Sequence, residues 1–274
     1  MNEQAKNKGW PSRDEIVGAG PTAPVALADV GYQETVRAMD LILAPGQVTE
    51  LRALGVCTQE YRRPHTISGY FDDIEALARE ATEVAPYATG VYFTPNPVNP
   101  ALLARASNRA RDVNQEPLSS DSDVVARRWL LVDIDAIRPA GISSTDAEHD
   151  AAIAKAKAIR EALAARGWPQ PILADSGNGA HLLYRVDMPV DDGGVVKRAL
   201  EALAAEFDDD QSHVDTKVFN PARIWKLYGT VARKGDDLPD RPHRMARILE
   251  VPGLSAAINT QNTQIQERLL CQLN

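Results

Sequence analysis

The sequence predicts an α+β protein in which a ferredoxin-like βαββαβ module, of the kind that RNA-recognition folds use, follows a mixed αβ module. Three observations lead to this prediction. Residues 129–135 have the apolar pattern of a buried strand, residues 145–148 form a capping box ahead of an alanine-rich helix, and a Ser-Gly-Asn-Gly turn at residues 176–179 joins two further strand patterns. A second helix and a last strand complete the βαββαβ order.

The first module is predicted to span residues 28–125. Its expected elements are a helix over 33–43 that ends at Pro45-Gly46, strands over 48–56, 66–71 and 90–94, and a helix from an aspartate cap at 72 or 73 to residue 84. Three prolines exclude regular structure from residues 95–100. Beyond them lie Arg105, Arg109 and Arg111, which either form a solvated helix face or bind a nucleic-acid template.

The second module is predicted to span residues 126–255. Its expected elements are a strand at 129–135, a helix to about residue 166, strands at 171–175 and 180–186, a helix at 194–207 and a strand at 213–219. Residues 1–27 are polar and rich in Gly, Pro and Ala, and residues 256–274 are rich in Asn and Gln. We therefore expect a flexible N-terminal segment and a C-terminal tail.

The composition of the 274 residues is that of an ordinary soluble globular protein, with 44% hydrophobic and 25% charged residues. No apolar run approaches the roughly 18 residues that cross a bilayer, and the polar N-terminus contains no secretory signal. We therefore expect a cytoplasmic protein without a membrane partner. Cys57 and Cys271 are too few for a disulfide framework or a cysteine-based zinc site, so any metal ion must bind mainly through oxygen and imidazole ligands.

The charge of the chain changes sign along its length. The net charge of −8 argues against a protein that coats nucleic acid through bulk charge. Residues 211–250, however, contain eight basic and five acidic residues, a local net charge of +3. A local basic surface is therefore compatible with the acidic chain as a whole.

The predicted topology brings four polar residues together. In a split βαβ sheet the first strand lies between the third and the fourth and is antiparallel to both, so its C-terminal end lies beside their N-terminal ends. Asp133 and Asp135 lie at the end of strand one, His181 at the start of strand three, and Asp215 near the start of strand four. Asp133 and Asp135 also share a face, because they are two residues apart.

Three carboxylates in one place predict a metal site. Paired carboxylates repel each other unless a cation lies between them, and Mg²⁺ or Mn²⁺ prefers oxygen ligands. Two such ions, held by Asp133, Asp135 and Asp215, can activate an attacking hydroxyl and stabilise a leaving pyrophosphate. The structural alternatives are that a strand-end aspartate forms a turn, that His181 is a core residue, and that the acidic run at 208–210 competes with Asp215.

A second set of residues suits phosphate groups. Cations bind a triphosphate through charge-assisted hydrogen bonds, and the candidates after the last strand are Arg223, Lys226 and Lys234. Cations on a solvated edge would give the same pattern. Backbone nests also bind anions, and the candidates in the turn before strand three are Ser176, Asn178 and the amides of Gly177 and Gly179.

These residues together give the chain a resemblance to the catalytic domain of the archaeo-eukaryotic primase superfamily, in the primase-polymerase branch of phages, plasmids and mobile elements. Val-Asp-Ile-Asp at 132–135 resembles the first metal-binding motif of that family, Ser-Gly-Asn-Gly-Ala-His at 176–181 the second, and Val-Asp at 214–215 the third. The segment at 220–230, Asn-Pro-Ala-Arg-Ile-Trp-Lys-Leu-Tyr-Gly-Thr, is similar to the basic segment that follows in phage-type members. The resemblance covers residues 30–250.

The resemblance implies a template-directed nucleotidyltransferase, a DNA primase or polymerase that makes or extends primers on single-stranded DNA from NTPs or dNTPs. It implies that Asp133, Asp135 and Asp215 hold two Mg²⁺ or Mn²⁺ ions and that His181 contacts the phosphates of the incoming nucleotide. The chain departs from the family at Gly179, where relatives often have serine. No Gly-x-x-x-x-Gly-Lys-Ser/Thr phosphate loop is present, so we expect any helicase to act in trans or on a longer chain.

Three other functions stay open on the sequence. A metal-dependent phosphodiesterase or nuclease could use the same carboxylates with water as the nucleophile. A relaxase-type replication initiator has a related sheet, but it normally needs paired metal-binding histidines and a nucleophilic tyrosine, and the strand at 180–186 has one histidine. A non-catalytic single-strand-binding module would have aromatic residues on its central strands, and apart from Trp129 and Tyr184 these are missing here.

Overall fold

The computed structural model describes residues 25–58, 63–113 and 117–253, which form two antiparallel five-stranded sheets, a small hairpin and the surrounding helices. The helices are α1 (Val25–Ile42), α2 (Ile74–Val84), α3 (Asp146–Ala165) and α4 (Val195–Phe207). The strands are β1 (Thr49–Val56), β2 (His65–Phe71), β3 (Gly90–Phe93), β4 (Arg111–Asp112), β5 (Arg127–Ala136), β6 (Ile172–Asp175), β7 (Gly179–Met188), β8 (Ser212–Val214), β9 (Trp225–Lys226), β10 (Val231–Ala232), β11 (Arg244–Met245) and β12 (Arg247–Glu250). Among the described residues, every helix is too short or too polar to cross a bilayer.

The second predicted module forms a sheet with the strand order β12-β6-β7-β5-β8. Strand β5 lies between β7 and β8 and is antiparallel to both, which confirms the position predicted for the first strand of the βαββαβ unit. Strand β12 adds an edge strand beside β6 that the sequence pattern does not predict. Helices α3 and α4 pack against this sheet. The predicted α+β class, with its ferredoxin-like strand order, is therefore confirmed.

The first predicted module forms a sheet with the order β4-β2-β1-β3-β9. Its edge strand β9 comes from the second predicted module and pairs with β3, where Trp225 lies opposite Phe93 and Lys226 opposite Tyr92. One hydrophobic core cluster includes buried residues of both sheets. The chain thus returns to the first sheet at β9, between strands β8 and β12 of the second sheet, and the segment around β9 joins the two sheets.

Capping residues in the sequence determine where α2 and α3 begin. Thr145 and Glu148 form the predicted capping box, in which each side chain accepts a hydrogen bond from the backbone amide of the other residue. Asp73 caps α2 by accepting a hydrogen bond from the Ala76 amide. Helix α1 begins at Val25 and so includes the last residues of the predicted flexible segment; the rest of that segment and the predicted tail at 256–274 lie outside the described residues.

Besides the first helix, which is predicted over 33–43 and observed over Val25–Ile42, two predicted elements are wrong in extent or type. The fourth strand, predicted over 213–219, ends at Val214, because Asp215 Oδ1 accepts a hydrogen bond from the Lys217 amide at 2.8 Å and turns the backbone away from the sheet. The Asp215 amide still donates to the Asp133 carbonyl at 2.9 Å, which keeps Asp215 beside β5. The arginines at 105–111 lie on no α-helix, because Pro100–Arg105 is a 3₁₀ turn and the chain then continues into β4.

Candidate metal and nucleotide site

Three carboxylates meet at the end of β5, and we call them the carboxylate cluster. Asp133 and Asp135 lie on β5, and Asp215 directly follows the neighbouring strand β8. One carboxylate oxygen of each residue lies within 4.8 Å of the other two, and all three residues are partly buried. The structure therefore brings together the three side chains that the sequence predicts as metal ligands.

The surroundings of Asp133 disfavour its charged form. Burial, and then the negative charges of Asp135 and Asp215, raise the pKa of Asp133 well above its ordinary value. The positive charges of Lys234 and Arg138 oppose this shift without cancelling it, although an Arg138 Nη1 atom lies 3.7 Å from Asp135. The cluster is therefore short of positive charge, as a cation site is before its ion binds.

His181 lies beside the carboxylate cluster on the adjacent strand. It is the register partner of Asp133, and its Nε2 atom lies 3.5 Å from Asp133 Oδ1. Its Nδ1 atom lies 2.9 Å from the Tyr228 hydroxyl, and its ring stacks on Trp225 with the ring centroids 4.0 Å apart. Burial, and then the charge of Lys226, lower the pKa of His181 to about 3, so the imidazole is neutral near pH 7.

The turn between β6 and β7 is held from two sides. The Ser176 amide donates to the Gly179 carbonyl at 3.0 Å, and Gly177 has a φ of +90°, as at the first central position of a type II′ turn. Asp175 Oδ1 accepts a hydrogen bond from the Gly177 amide at 2.6 Å and lies 2.9 Å from His149 Nε2 on α3. The Gly177 amide, predicted as a phosphate donor, therefore already has an acceptor within the protein.

Asn178 and Gly179 are confined by their neighbours. Asn178 is buried, and its Oδ1 accepts a hydrogen bond from the Ser144 amide at 2.9 Å, while its Nδ2 has no hydrogen-bond partner among the described residues. Gly179 lies opposite Asp135, and a Cβ at position 179 would lie 2.2 Å from the Ile134 carbonyl oxygen. A serine at position 179, as in the motif that residues 176–181 resemble, therefore does not fit here unless β5 moves.

The three predicted triphosphate-binding cations lie in different environments. Lys234 is exposed, and its charge acts on the carboxylate cluster. Arg223 is half-buried and donates to the Lys217 carbonyl, while its Nε has no hydrogen-bond partner in the described part of the chain. Lys226 is buried, and its Nζ donates to Thr230 Oγ1 at 2.8 Å and to a backbone carbonyl at 3.1 Å. Lys226 therefore uses two of its three donors within the protein.

The buried Lys226 should make stability depend on pH. Burial, and then the charges of Arg233 and Lys234, lower its pKa to about 7. Between that value and the unfolded value of about 10.4, the unfolded chain binds a proton that the folded protein lacks, so the free energy of unfolding rises with pH by up to about 1.4 kcal/mol per unit. We expect Lys226→Met to remove this rise, measured by chemical denaturation at pH 7, 8 and 9. The exposed Lys157→Met is the matched control, and an unchanged slope in Lys226→Met would contradict the lowered pKa of Lys226.

The three predicted template-binding arginines lie away from the edge strand that contacts His181. Arg111 lies in β4, and β2, β1 and β3 separate that strand from β9. Arg105 donates to the Tyr70 hydroxyl at 3.3 Å and to a backbone carbonyl at 3.1 Å. The charge of Arg109 opposes the pKa increase that burial causes at Glu80. The interactions of Arg105 and Arg109 are thus with residues of the first module, and the role of the three arginines with a template stays a prediction.

Two aromatic residues at the site are missing from the sequence-based prediction. Trp225 and Tyr228 both contact His181, although the sequence pattern of their segment predicts a role only for its basic residues. Trp225 Nε1 also donates to the Tyr228 hydroxyl at 3.0 Å. Two aromatic residues at this spacing inside a basic segment are the signal that could have identified them.

Comparisons with known proteins add little to what the site residues indicate about function. No family model and no curated protein matches the chain. Among solved structures, the chain is similar to the polymerase domain from Mycobacterium tuberculosis Ligase D in complex with DNA, with a TM-score of 0.41, 15% sequence identity and 90% of each chain covered. Membership of a family does not follow from values this low.

Proposed function

We propose that the protein is a template-directed nucleotidyltransferase, a DNA primase or polymerase that makes or extends primers on single-stranded DNA. The main support is that Asp133, Asp135 and Asp215 converge within 4.8 Å of one another, with His181 3.5 Å from Asp133. Metal carboxylates beside a group that can bind phosphate are what the transfer of a nucleotide from a triphosphate requires. These four residues belong to the three segments, 132–135, 176–181 and 214–215, that resemble the motifs of the primase-polymerase branch.

The donor set of the carboxylate cluster fits two Mg²⁺ or Mn²⁺ ions. Carboxylate oxygens are the hard ligands that these ions prefer. The raised pKa of Asp133 supports the fit, because a bound cation would relieve the repulsion among the three carboxylates. Asp133, Asp135 and Asp215 would hold the ions, which supply Lewis-acid stabilisation of the triphosphate and a more acidic attacking hydroxyl when bound.

Residues around the cluster would bind and orient the nucleotide. We assign this role to Ser176, Asn178, Gly179, His181, Arg223, Lys226 and Lys234. Arg223, Lys234 and the protonated form of Lys226 balance phosphate charge, and the neutral imidazole of His181 acts as a hydrogen-bonding group for the phosphates. Positioning and charge stabilisation then account for the transfer without covalent chemistry by the protein.

The macromolecular partners of such an enzyme follow from the proposal. A single-stranded DNA template would contact the first module mostly through its phosphates, with Arg105, Arg109 and Arg111 as the candidate donors, and with little sequence preference. A helicase, on another protein or on a longer chain, would supply the unwinding.

One competing function is disfavoured by burial. A non-catalytic module that binds single strands on its sheet needs exposed aromatic rings on the central strands. Trp129 on β5 is 5% exposed and Tyr184 on β7 is 0% exposed, so neither ring can stack on a base. A metal-dependent nuclease would use the same carboxylates and has to be separated by experiment.

An incorporation assay tests the proposal. The purified chain is incubated with primed or unprimed single-stranded DNA, Mn²⁺ or Mg²⁺, and labelled nucleotides of each sugar type. We expect template-dependent products that disappear when EDTA removes the metal. Degradation of a labelled strand without any triphosphate would identify a nuclease instead, and the absence of products with either metal on both templates would contradict the proposal.

A further inference from the structure

Two buried hydrogen bonds connect Trp225 on β9, through Tyr228, to His181. Trp225 Nε1 donates to the Tyr228 hydroxyl at 3.0 Å, and that hydroxyl lies 2.9 Å from His181 Nδ1. The three residues are 2%, 0% and 3% exposed, respectively. Water therefore does not compete for these hydrogen bonds, and each proton in them has a defined place.

The donor properties of these side chains determine where the protons lie. The Trp225 indole N–H can only donate, so it occupies one acceptor position of the Tyr228 oxygen. The Tyr228 hydrogen is then directed to His181 Nδ1, because the opposite assignment would bury it without an acceptor among the described residues. Burial raises the pKa of Tyr228 well above its ordinary value, so the hydroxyl keeps this proton.

The same arrangement defines the tautomer of His181. With Nδ1 accepting a hydrogen bond from Tyr228, the neutral imidazole has its proton on Nε2. That Nε2 atom lies on the side of the carboxylate cluster, 3.5 Å from Asp133 Oδ1. This distance is long for a hydrogen bond, so the N–H retains the capacity to donate to a ligand oxygen.

Tyr228 is itself held by both the first sheet and the first helix. Thr35 Oγ1 on α1 donates to the Tyr228 carbonyl at 2.8 Å. The preceding Leu227 amide donates to the Val91 carbonyl on β3 at 2.9 Å. The hydroxyl therefore approaches His181 from a rigid support outside the sheet that carries the histidine.

We propose that Tyr228 is a positioning residue that fixes His181 as an Nε2–H donor for a phosphate oxygen of a ligand bound at the carboxylate cluster. The identity of that ligand as a nucleoside triphosphate rests on the proposed function, whereas the tautomer does not. Tyr228 acts through His181 and touches neither the cluster nor the ligand.

Nitrogen NMR of the histidine rings tests the tautomer directly. A His181→Gln variant identifies the His181 signals, and in the wild-type protein we expect a protonated Nε2 and an unprotonated Nδ1. In Tyr228→Phe the Nδ1 atom loses its donor, so the signals should move toward a mixture of tautomers. A protonated Nδ1 in the wild-type protein would overturn the proposal, even if Tyr228→Phe fails to fold.

Steady-state kinetics test the consequence for the ligand. In Tyr228→Phe only the molecules that keep the Nε2–H tautomer can donate to the ligand, so the variant should raise KM for the triphosphate about two- to tenfold with a smaller change in kcat. Tyr184→Phe is the matched control, because the Tyr184 hydroxyl is buried without a hydrogen-bond partner among the described residues. If Tyr228→Phe changes neither the tautomer nor KM, the proposal is wrong. If the wild-type chain incorporates no nucleotide, the proposed function fails while the NMR result still decides the role of Tyr228.

Discussion

Replacing Asp133 by asparagine is expected to reduce nucleotide incorporation by about 10³-fold or more while the fold stays intact. An oxygen of Asp133 lies within 4.8 Å of both other carboxylates, and Asp133 Oδ1 lies 3.5 Å from His181 Nε2, so its loss removes the ligand of the cluster that is next to the histidine. The double variant Asp133→Ala with Asp135→Ala should be inactive as well. Incorporation on a primed template with Mn²⁺ or Mg²⁺ measures both variants, and primer extension by the double variant in Mn²⁺ would show that the site is misassigned.

The Asp133→Asn variant should also be more stable than the wild-type protein in metal-free buffer. In the wild-type protein the pKa of Asp133 is raised in the folded state. The folded protein therefore keeps a proton that the unfolded chain releases above about pH 4, and the free energy of unfolding falls as the pH rises. Relief of about 1 kcal/mol would raise the melting temperature by about 2–4 °C at pH 7. Added Mn²⁺ should then stabilise only the wild-type protein.

An exposed aspartate provides the control for both measurements. Asp210 lies on the surface next to the end of α4, and Asp210→Asn changes the net charge of the chain by the same amount. We expect it to leave incorporation and the metal-dependent melting temperature unchanged. Equal effects of the two variants would mean that net charge, and not the carboxylate cluster, explains the result.

Replacing Gly179 by alanine is expected to lower the free energy of unfolding by about 1–3 kcal/mol or more. The added Cβ would lie 2.2 Å from the Ile134 carbonyl oxygen, which is backbone and cannot rotate away. The strands β5 and β7 must separate where Gly179 faces Asp135, so the carboxylate cluster should bind Mn²⁺ less tightly too. Chemical denaturation and the Mn²⁺-dependent shift in melting temperature measure the two effects.

Gly253→Ala is the matched control, because no atom of the described residues lies within 4 Å of the position that its Cβ would take. We expect its stability and metal response to equal those of the wild-type protein. Wild-type stability of Gly179→Ala would mean that β5 and β7 can move apart at this position at little cost. The serine of the resembled motif should destabilise position 179 at least as much as alanine does.

Much of the second module could be predicted because its signals are local or periodic. The Thr145–Glu148 capping box depends on residues three apart, and the β5 strand is recognisable from consecutive apolar residues. Once the βαββαβ order is known, sheet topology alone places Asp133 opposite His181 and next to the residue after β8. The carboxylate cluster therefore follows from the sequence.

Other features could not be predicted, since they depend on contacts between distant segments. The end of β8 depends on one hydrogen bond from the Lys217 amide to Asp215, which competes with strand continuation. The burial of Lys226 follows from the pairing of β9 with β3. The Ser144 amide donates a hydrogen bond to Asn178 Oδ1 only because the segment before α3 packs on the β6–β7 turn.

The sequence by itself determined the α+β class, the order of four strands of the second sheet (β6-β7-β5-β8) and the identity of the three clustered carboxylates, because hydrophobic periodicity, caps and turns act over a few residues. Only the tertiary structure decided that β9 joins the first sheet and that Trp225 and Tyr228 lie against His181. The physical reason is that packing between two sheets selects partners by shape and by hydrogen-bond satisfaction over long sequence separations, and no local pattern encodes that choice.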